Sequence, residues 1–117
     1  MSIMTDYDKE NKALTLTISG DFDASKASTF RENYEGFPEQ ITQYIINMEQ
    51  VRYMDSTALG MLLALRECAA KRGADVHIIN MNDVVLEIFR VLNFHKLFTP
   101  EYNRDSYKVD WVAKAEQ

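Results

Sequence analysis

A serine with an aspartate before it and a threonine after it joins an extended run to a long helical pattern: Tyr53-Met54-Asp55-Ser56-Thr57-Ala58-Leu59-Gly60-Met61-Leu62-Leu63. Upstream, Tyr44-Ile45-Ile46 reads as a strand, so the chain turns at Asp55-Ser56 and feeds straight into a helix. A hydroxyl at that turn meets the free backbone N–H groups and the positive dipole end of a helix N-terminus, both of which favour added negative charge. Two roles fit it. Ser56 can cap the helix, as serines before helices usually do, or it can carry a phosphate. Thr57 supplies a second hydroxyl one residue on.

Other chemistry finds little support. His77 and His95 are far apart in sequence, and neither has the cysteine or carboxylate spacing of a metal site. Gly20, Gly36, Gly60 and Gly73 are isolated, so no glycine-rich phosphate cradle is present. Ser56 lies outside any GxSxG elbow and has no base near it in sequence. Asp21 and Asp23 share one turn, which reads as a turn followed by a helix cap. The expectation is a protein that is not an enzyme, with no catalytic residues, no cofactor and no metal.

The net charge is −5, from 13 basic and 18 acidic residues. That balance argues against nucleic acid as a partner, since such proteins carry a basic face. No run of about 18 apolar residues is present, so no membrane insertion is expected. Met1 to Asp8 lacks the basic and apolar regions of a signal peptide. The lone Cys68 falls in a helical pattern and reads as a small core residue in a reducing, cytoplasmic setting. With 117 residues and 46% apolar content, one domain over 1–117 is expected.

The elements that must hold Ser56 alternate along the chain. Ile3 to Tyr7 reads as a short strand, and Asp8-Lys9-Glu10-Asn11 as a turn. From Ala13 to Ser19, Leu14, Leu16 and Ile18 alternate with Thr15, Thr17 and Ser19, the period of a half-buried strand, broken by Gly20-Asp21-Phe22-Asp23. Ala27, Phe30 and Tyr34 mark one face of a first helix, closed by Gly36-Phe37-Pro38. Gln43 to Met48 reads as a central strand, with a short loop from Met48 to Asp55.

Thr57 to Arg72 forms the second helix, stopped by Gly73 at the C′ position. Ala58, Leu62, Leu65 and Ala69 share its core face, and Leu59 and Leu63 lie toward its flank, either covered or open to a partner. The small Ala58 and Gly60 leave room for another protein's backbone to come close. Val76 to Met81 is a further strand. Asp83 opens a third helix with Val84, Val85, Ile88 and Leu92 facing inward. An extended piece near Leu97-Phe98 and a closing helix from Asp105 to Ala115, anchored by Trp111 and Val112, complete the chain. The sum is an α/β domain: a mixed central sheet of four to five strands with about four helices packed against it.

Met54-Asp55-Ser56-Thr57-Ala58-Leu59-Gly60 resembles the signature of STAS-domain anti-sigma-factor antagonists, specifically single-domain bacterial members of that family. Ser19-Gly20-Asp21-Phe22-Asp23 is similar to the family's second-strand exit, with Asp21 in place of the usual glutamate. Gly73 with the Val76 strand, and the region from Asn93-Phe94 to Leu97-Phe98, fit the same pattern. Ala58 stands where the family usually has glycine.

The resemblance implies a partner switch. The unphosphorylated antagonist binds an anti-sigma factor that is also a GHKL-type serine kinase. Phosphorylation of the serine ends the binding, and a metal-dependent serine phosphatase restores it. By position Ser56 is the phospho-acceptor and Thr57 a secondary candidate, with Asp23 and Asp55 as the acidic positions beside it. Asp21, Asp23, Asp55, Ser56, Thr57, Ala58, Leu59, Gly60 and Leu63 are then the expected partner-binding residues. Some similar bacterial members govern motility or biofilm decisions, with a final target other than a sigma factor. The alternative is a STAS scaffold subunit of a membrane transport ATPase complex, which needs no phospho-acceptor.

Overall fold

Alternation along the second strand divides the sheet into two faces. In the computed structural model, which describes residues 3–101 and 105–110, β1 (Ile3–Asp8) pairs antiparallel with β2 (Ala13–Phe22). Next come α1 (Ala27–Glu35), β3 (Gln43–Met54), α2 (Thr57–Lys71), β4 (Asp75–Ile79) and α3 (Asp83–Val91), then the two-residue strands β5 (Thr99–Pro100) and β6 (Tyr107–Lys108). Short 3₁₀ turns span Ala24–Lys26 and Phe94–Lys96. The strand order is β1-β2-β3-β4-β6-β5, with β2, β3 and β4 parallel. The fold is therefore mixed α/β as expected, with six strands and three α-helices among the described residues.

Register aligns Leu16 with Ile46 and Ile46 with Ile78, and all three are fully buried. Thr15, Thr17 and Ser19 alternate with them on the opposite face and are only half-buried. Phe30 and Tyr34 of α1 pack onto the apolar face, as do Ala58, Leu62, Leu65 and Ala69 of α2. A chain of tilted and edge-on rings runs from Phe22 through Phe30 and Tyr34 to Tyr44, at centroid spacings of 5.4, 5.4 and 6.3 Å. It ties α1 to both β2 and β3, with ring geometry that adds to plain area burial. Burial pushes the Tyr34 and Tyr44 hydroxyls above their ordinary titration range.

Several sequence expectations are corrected. Gly20 does not end β2. Its φ of +78° lies at a register shift in the β2–β3 pairing, so the glycine absorbs a bulge and the strand continues to Phe22. Correspondingly, the expected loop from Met48 to Asp55 is strand: β3 pairs with β2 as far as Phe22 and Met54, and the turn before α2 is only Asp55-Ser56.

In α3, Val84 faces outward at 61% exposure, and Ile88 and Leu92 are half-buried. Val85 is buried as expected, Ile88 and Leu92 pack against the core from its edge, and Leu86 and Phe89 take the place expected for Val84. The helix is rotated because the Phe89 ring packs against Phe94, Phe98 and Tyr107 at 5.6, 6.2 and 4.7 Å.

The closing helix is absent from its described part. Tyr107–Lys108 pairs with both β4 and β5, and the Val109 amide donates to the Val76 carbonyl at 2.8 Å. Trp111, Val112 and the rest of that expected helix lie outside the described residues. Extended pairing after α3 begins at Thr99, while Leu97 closes the preceding 3₁₀ turn. Among the described residues no helix is long and apolar enough to cross a membrane.

The stop of α2 follows the sequence. Gly73 has φ +70°, its amide donates to the Ala70 carbonyl at 3.2 Å, and the Ala74 amide donates to the Ala69 carbonyl at 2.8 Å, a Schellman ending. Replacing Gly73 by alanine forces a side chain into the left-handed region, at about 1–2 kcal/mol. Gly60 lies inside α2 with ordinary helical geometry, and an added Cβ meets nothing within 4 Å. Gly60→Ala should therefore raise stability by about 0.5–1 kcal/mol. Urea denaturation of the two variants should move the midpoint in opposite directions.

Candidate functional site

The parallel pairing of β2 with β3 ends on two buried residues side by side, Phe22 and Met54. Each is followed by an aspartate that caps the helical turn after it. The Asp23 carboxylate accepts the Ser25 amide at 3.0 Å and the Ser25 hydroxyl at 2.6 Å. The Asp55 carboxylate accepts the Thr57 amide at 3.0 Å and, through the same oxygen, the Thr57 hydroxyl. The two strand exits thus carry one device twice, Asp23-Ala24-Ser25 and Asp55-Ser56-Thr57.

The third residue keeps its hydroxyl in both turns, Ser25 or Thr57, whereas the middle residue changes from Ala24 to Ser56, and there lies the chemistry. Ser56 has helical backbone angles (φ −66°, ψ −17°) and makes no capping hydrogen bond. Its side chain has no hydrogen-bond partner among the described residues, and the residue is exposed. The capping role open to Ser56 on sequence grounds belongs to Asp55. The Thr57 hydroxyl is also exposed, but it is committed to Asp55. A free hydroxyl therefore stands at the N-terminus of the 15-residue helix α2, where the positive end of the helix dipole stabilises negative charge.

Three carboxylates surround this corner. Bonds from the Ser25 hydroxyl and amide hold the Asp23 carboxyl below the ordinary carboxylate range. Asp21 is half-buried, with its carboxylate 3.8 Å from the Arg52 guanidinium. Its carbonyl accepts a hydrogen bond from Lys26 Nζ, and Lys26 is only 8% exposed. Lys26 and Arg52 escaped the sequence reading. Their signal is weak: one lies a turn beyond the acidic strand exit, and the other faces that exit only because β3 extends so far. These two cations offset part of the field of Asp21, Asp23 and Asp55.

The structure separates the remaining candidates. Gly60 is exposed and, with Thr57 and Met61, lines a groove of about 330 Å³ between α1 and α2, opposite Ala24, Ala27 and Phe30. Leu59 and Leu63 are half-buried and pack against the core. Ala58 is fully buried. It belongs to the core face of α2 and is corrected from partner surface to packing, because one helix position cannot face both. Cys68 is half-buried against the core. His77 is half-buried with Nδ1 2.9 Å from both Glu101 oxygens, a link between β4 and the residues after β5. His95 lies on the second 3₁₀ turn.

Residues 5–99 match the family model described as "Mlab, STAS domain", and the chain belongs to the STAS-domain family. It is 35% identical to a STAS-domain containing protein of Pseudomonas aeruginosa over 89 residues, 76% of this chain and 88% of that one. It is 26% identical to the anti-sigma-B factor antagonist of Bacillus subtilis over 91 residues, 78% of this chain and 84% of that one. Among solved structures, the anti-sigma factor antagonist SpoIIAA in its unphosphorylated form superposes with a TM-score of 0.68 at 17% identity. It covers 80% of this chain and 83% of that one, a likeness of fold. The STAS domain of a SulP transporter from Vibrio cholerae superposes with a TM-score of 0.53 at 26% identity, over 69% of this chain and 63% of that domain.

The division of labour at the turn gives a stability test. Asp55→Ala removes the cap of α2 and should lower stability by about 1 kcal/mol, within the ~0.5–2 range for lost caps. Ser56→Ala removes no bond and should stay within about 0.5 kcal/mol of the parent. Equal losses for the two, measured by urea denaturation, would return the capping role to the serine.

Proposed function

We propose that this chain is a phosphorylation-controlled protein-binding switch, an anti-sigma-factor antagonist acting in the cytoplasm. Unphosphorylated, it binds an anti-sigma factor that is also a GHKL-type serine kinase. Phosphorylation of Ser56 releases that partner, and a metal-dependent serine phosphatase resets the chain. The function is regulatory, not enzymatic, and needs no cofactor. The observation that carries the reading is the exposed, unbonded Ser56 hydroxyl at the N-terminus of α2, with the neighbouring aspartate doing the capping. The similarity to the anti-sigma-B factor antagonist supports the same reading.

Magnitudes favour a switch without refolding. A phosphoserine adds roughly −1.5 to −2 charges. The α2 N-terminus returns something like 0.3–1 kcal/mol, so the fold tolerates the group. A partner pressed onto Ser56 has to desolvate the dianion, at typically 2–5 kcal/mol. Affinity then falls from about tenfold to several thousandfold. The face it leaves comprises Asp21, Asp23, Asp55, Ser56, Thr57, Leu59, Gly60 and Leu63.

The second reading, a scaffold subunit of a membrane transport ATPase complex, draws on the likeness to a SulP transporter STAS domain. A scaffold has no use for a free acceptor hydroxyl, and this ranks it below the switch. Co-purification from the source cells separates the two. Ser56→Ala should retain a serine kinase and Ser56→Asp should lose it. Equal recovery by both variants contradicts the switch, and recovery of a transport ATPase with both points to the scaffold.

A further inference from the structure

Resting on the reading of Ser56 as acceptor, we infer that Asp55 is a positioning residue that decides which hydroxyl of the Ser56-Thr57 pair receives the phosphate. Both hydroxyls are exposed and adjacent, so accessibility alone does not choose between them. Their bonding does. One Asp55 oxygen accepts both the Thr57 amide, at 3.0 Å, and the Thr57 hydroxyl, whereas the Ser56 side chain is uncommitted.

Phosphoryl transfer forms a bond from the acceptor oxygen to the γ-phosphorus of a nucleoside triphosphate. The bond from phosphorus to the leaving diphosphate oxygen breaks, and the hydroxyl proton passes to a base on the kinase. For Ser56 nothing in this chain has to move first. For Thr57 the hydroxyl must leave Asp55, and its product would set a dianion against the carboxylate that holds the turn, a like-charge contact. Phospho-Thr57 also loses the O–H donor. The α2 cap would keep only the amide bond, next to a repelling group. The same device at the β2 exit ties the Ser25 hydroxyl to Asp23, which leaves Ser56 as the one hydroxyl of the two Asp-X-Ser/Thr turns without a bond among the described residues.

The inference separates charge from hydrogen-bond acceptance. Asp55→Asn keeps a side-chain oxygen for the Thr57 amide and hydroxyl, so Ser56 should remain the acceptor. Asp55→Ala frees the Thr57 hydroxyl, and the phosphate should spread to it.

The test is phosphosite mapping by mass spectrometry on wild-type, Asp55→Asn and Asp55→Ala chains isolated from the source cells. Each is first shown to be folded by the dispersion of its amide NMR spectrum. The expected result is phosphate on Ser56 in the wild type and in Asp55→Asn, with a several-fold larger share on Thr57 in Asp55→Ala. A merely structural role for Asp55 would change total phosphorylation but not its distribution. Phosphate confined to Ser56 in all three overturns the inference and leaves the switch standing. Phosphate on Thr57 in the wild type also overturns it, because Asp55 would then activate that hydroxyl. Phosphate on neither residue overturns the proposed function, and this inference with it.

Discussion

The hydrogen bonds that Thr57 gives to the Asp55 carboxylate set the character of this molecule's surface. They close the first turn of α2 without help from the Ser56 side chain. An N-terminal serine that caps its own helix has its oxygen turned inward against the backbone amides. Here the carboxylate one residue earlier takes that place, and the serine hydroxyl is left at the positive end of the helix with no bond among the described residues. Everything behind the turn serves its position. Phe22 and Met54 are buried as neighbours, so the turn is fixed to the core through two strands at once.

The electrostatics at this corner are finely opposed. Asp21, Asp23 and Asp55 bring three carboxylates to the strand exits, and the exposed Arg52 and the nearly buried Lys26 bring two cations beside them. Lys26 gives its ammonium to a backbone carbonyl, which steadies the end of β2 as well as moderating the field. A phosphate arriving on Ser56 would meet repulsion from the carboxylates and attraction from the helix terminus, both modest at an exposed site. On the proposed reading the fold would survive that exchange, because neither effect reaches the core. A bound partner lacks that tolerance, since an interface excludes the water that would otherwise solvate the dianion.

Much of this was legible in the sequence. The alternation in β2 and the four-residue core face of α2 appear in the structure as periodicity dictates, and Gly73 stops its helix for the reason glycine usually does. What escaped was whatever depends on pairing between distant segments. Gly20 reads locally as a breaker, yet inside a parallel pair it becomes a bulge, and this lets β3 run to Met54. The rotation of α3 about its axis follows from Phe89 meeting rings that arrive later in the chain, which leaves Val84 on the outside. Tyr107–Lys108 has too few residues to declare itself a strand and gains that identity from β4. At the site, the Asp-Ser-Thr turn was visible, but which oxygen caps which amide was not. Ser, Thr and Asp all cap helices well, and only geometry chooses among them.

The most direct test is calorimetric titration of the proposed serine kinase partner with two forms of this chain, unphosphorylated and fully phosphorylated at Ser56, without added nucleotide. The account predicts that phosphorylation weakens binding by about tenfold or more, the equivalent of at least 1.4 kcal/mol, while the amide NMR spectrum changes only around residues 55–60. Equal affinity for the two forms, or a spectrum altered throughout the sheet, would contradict it.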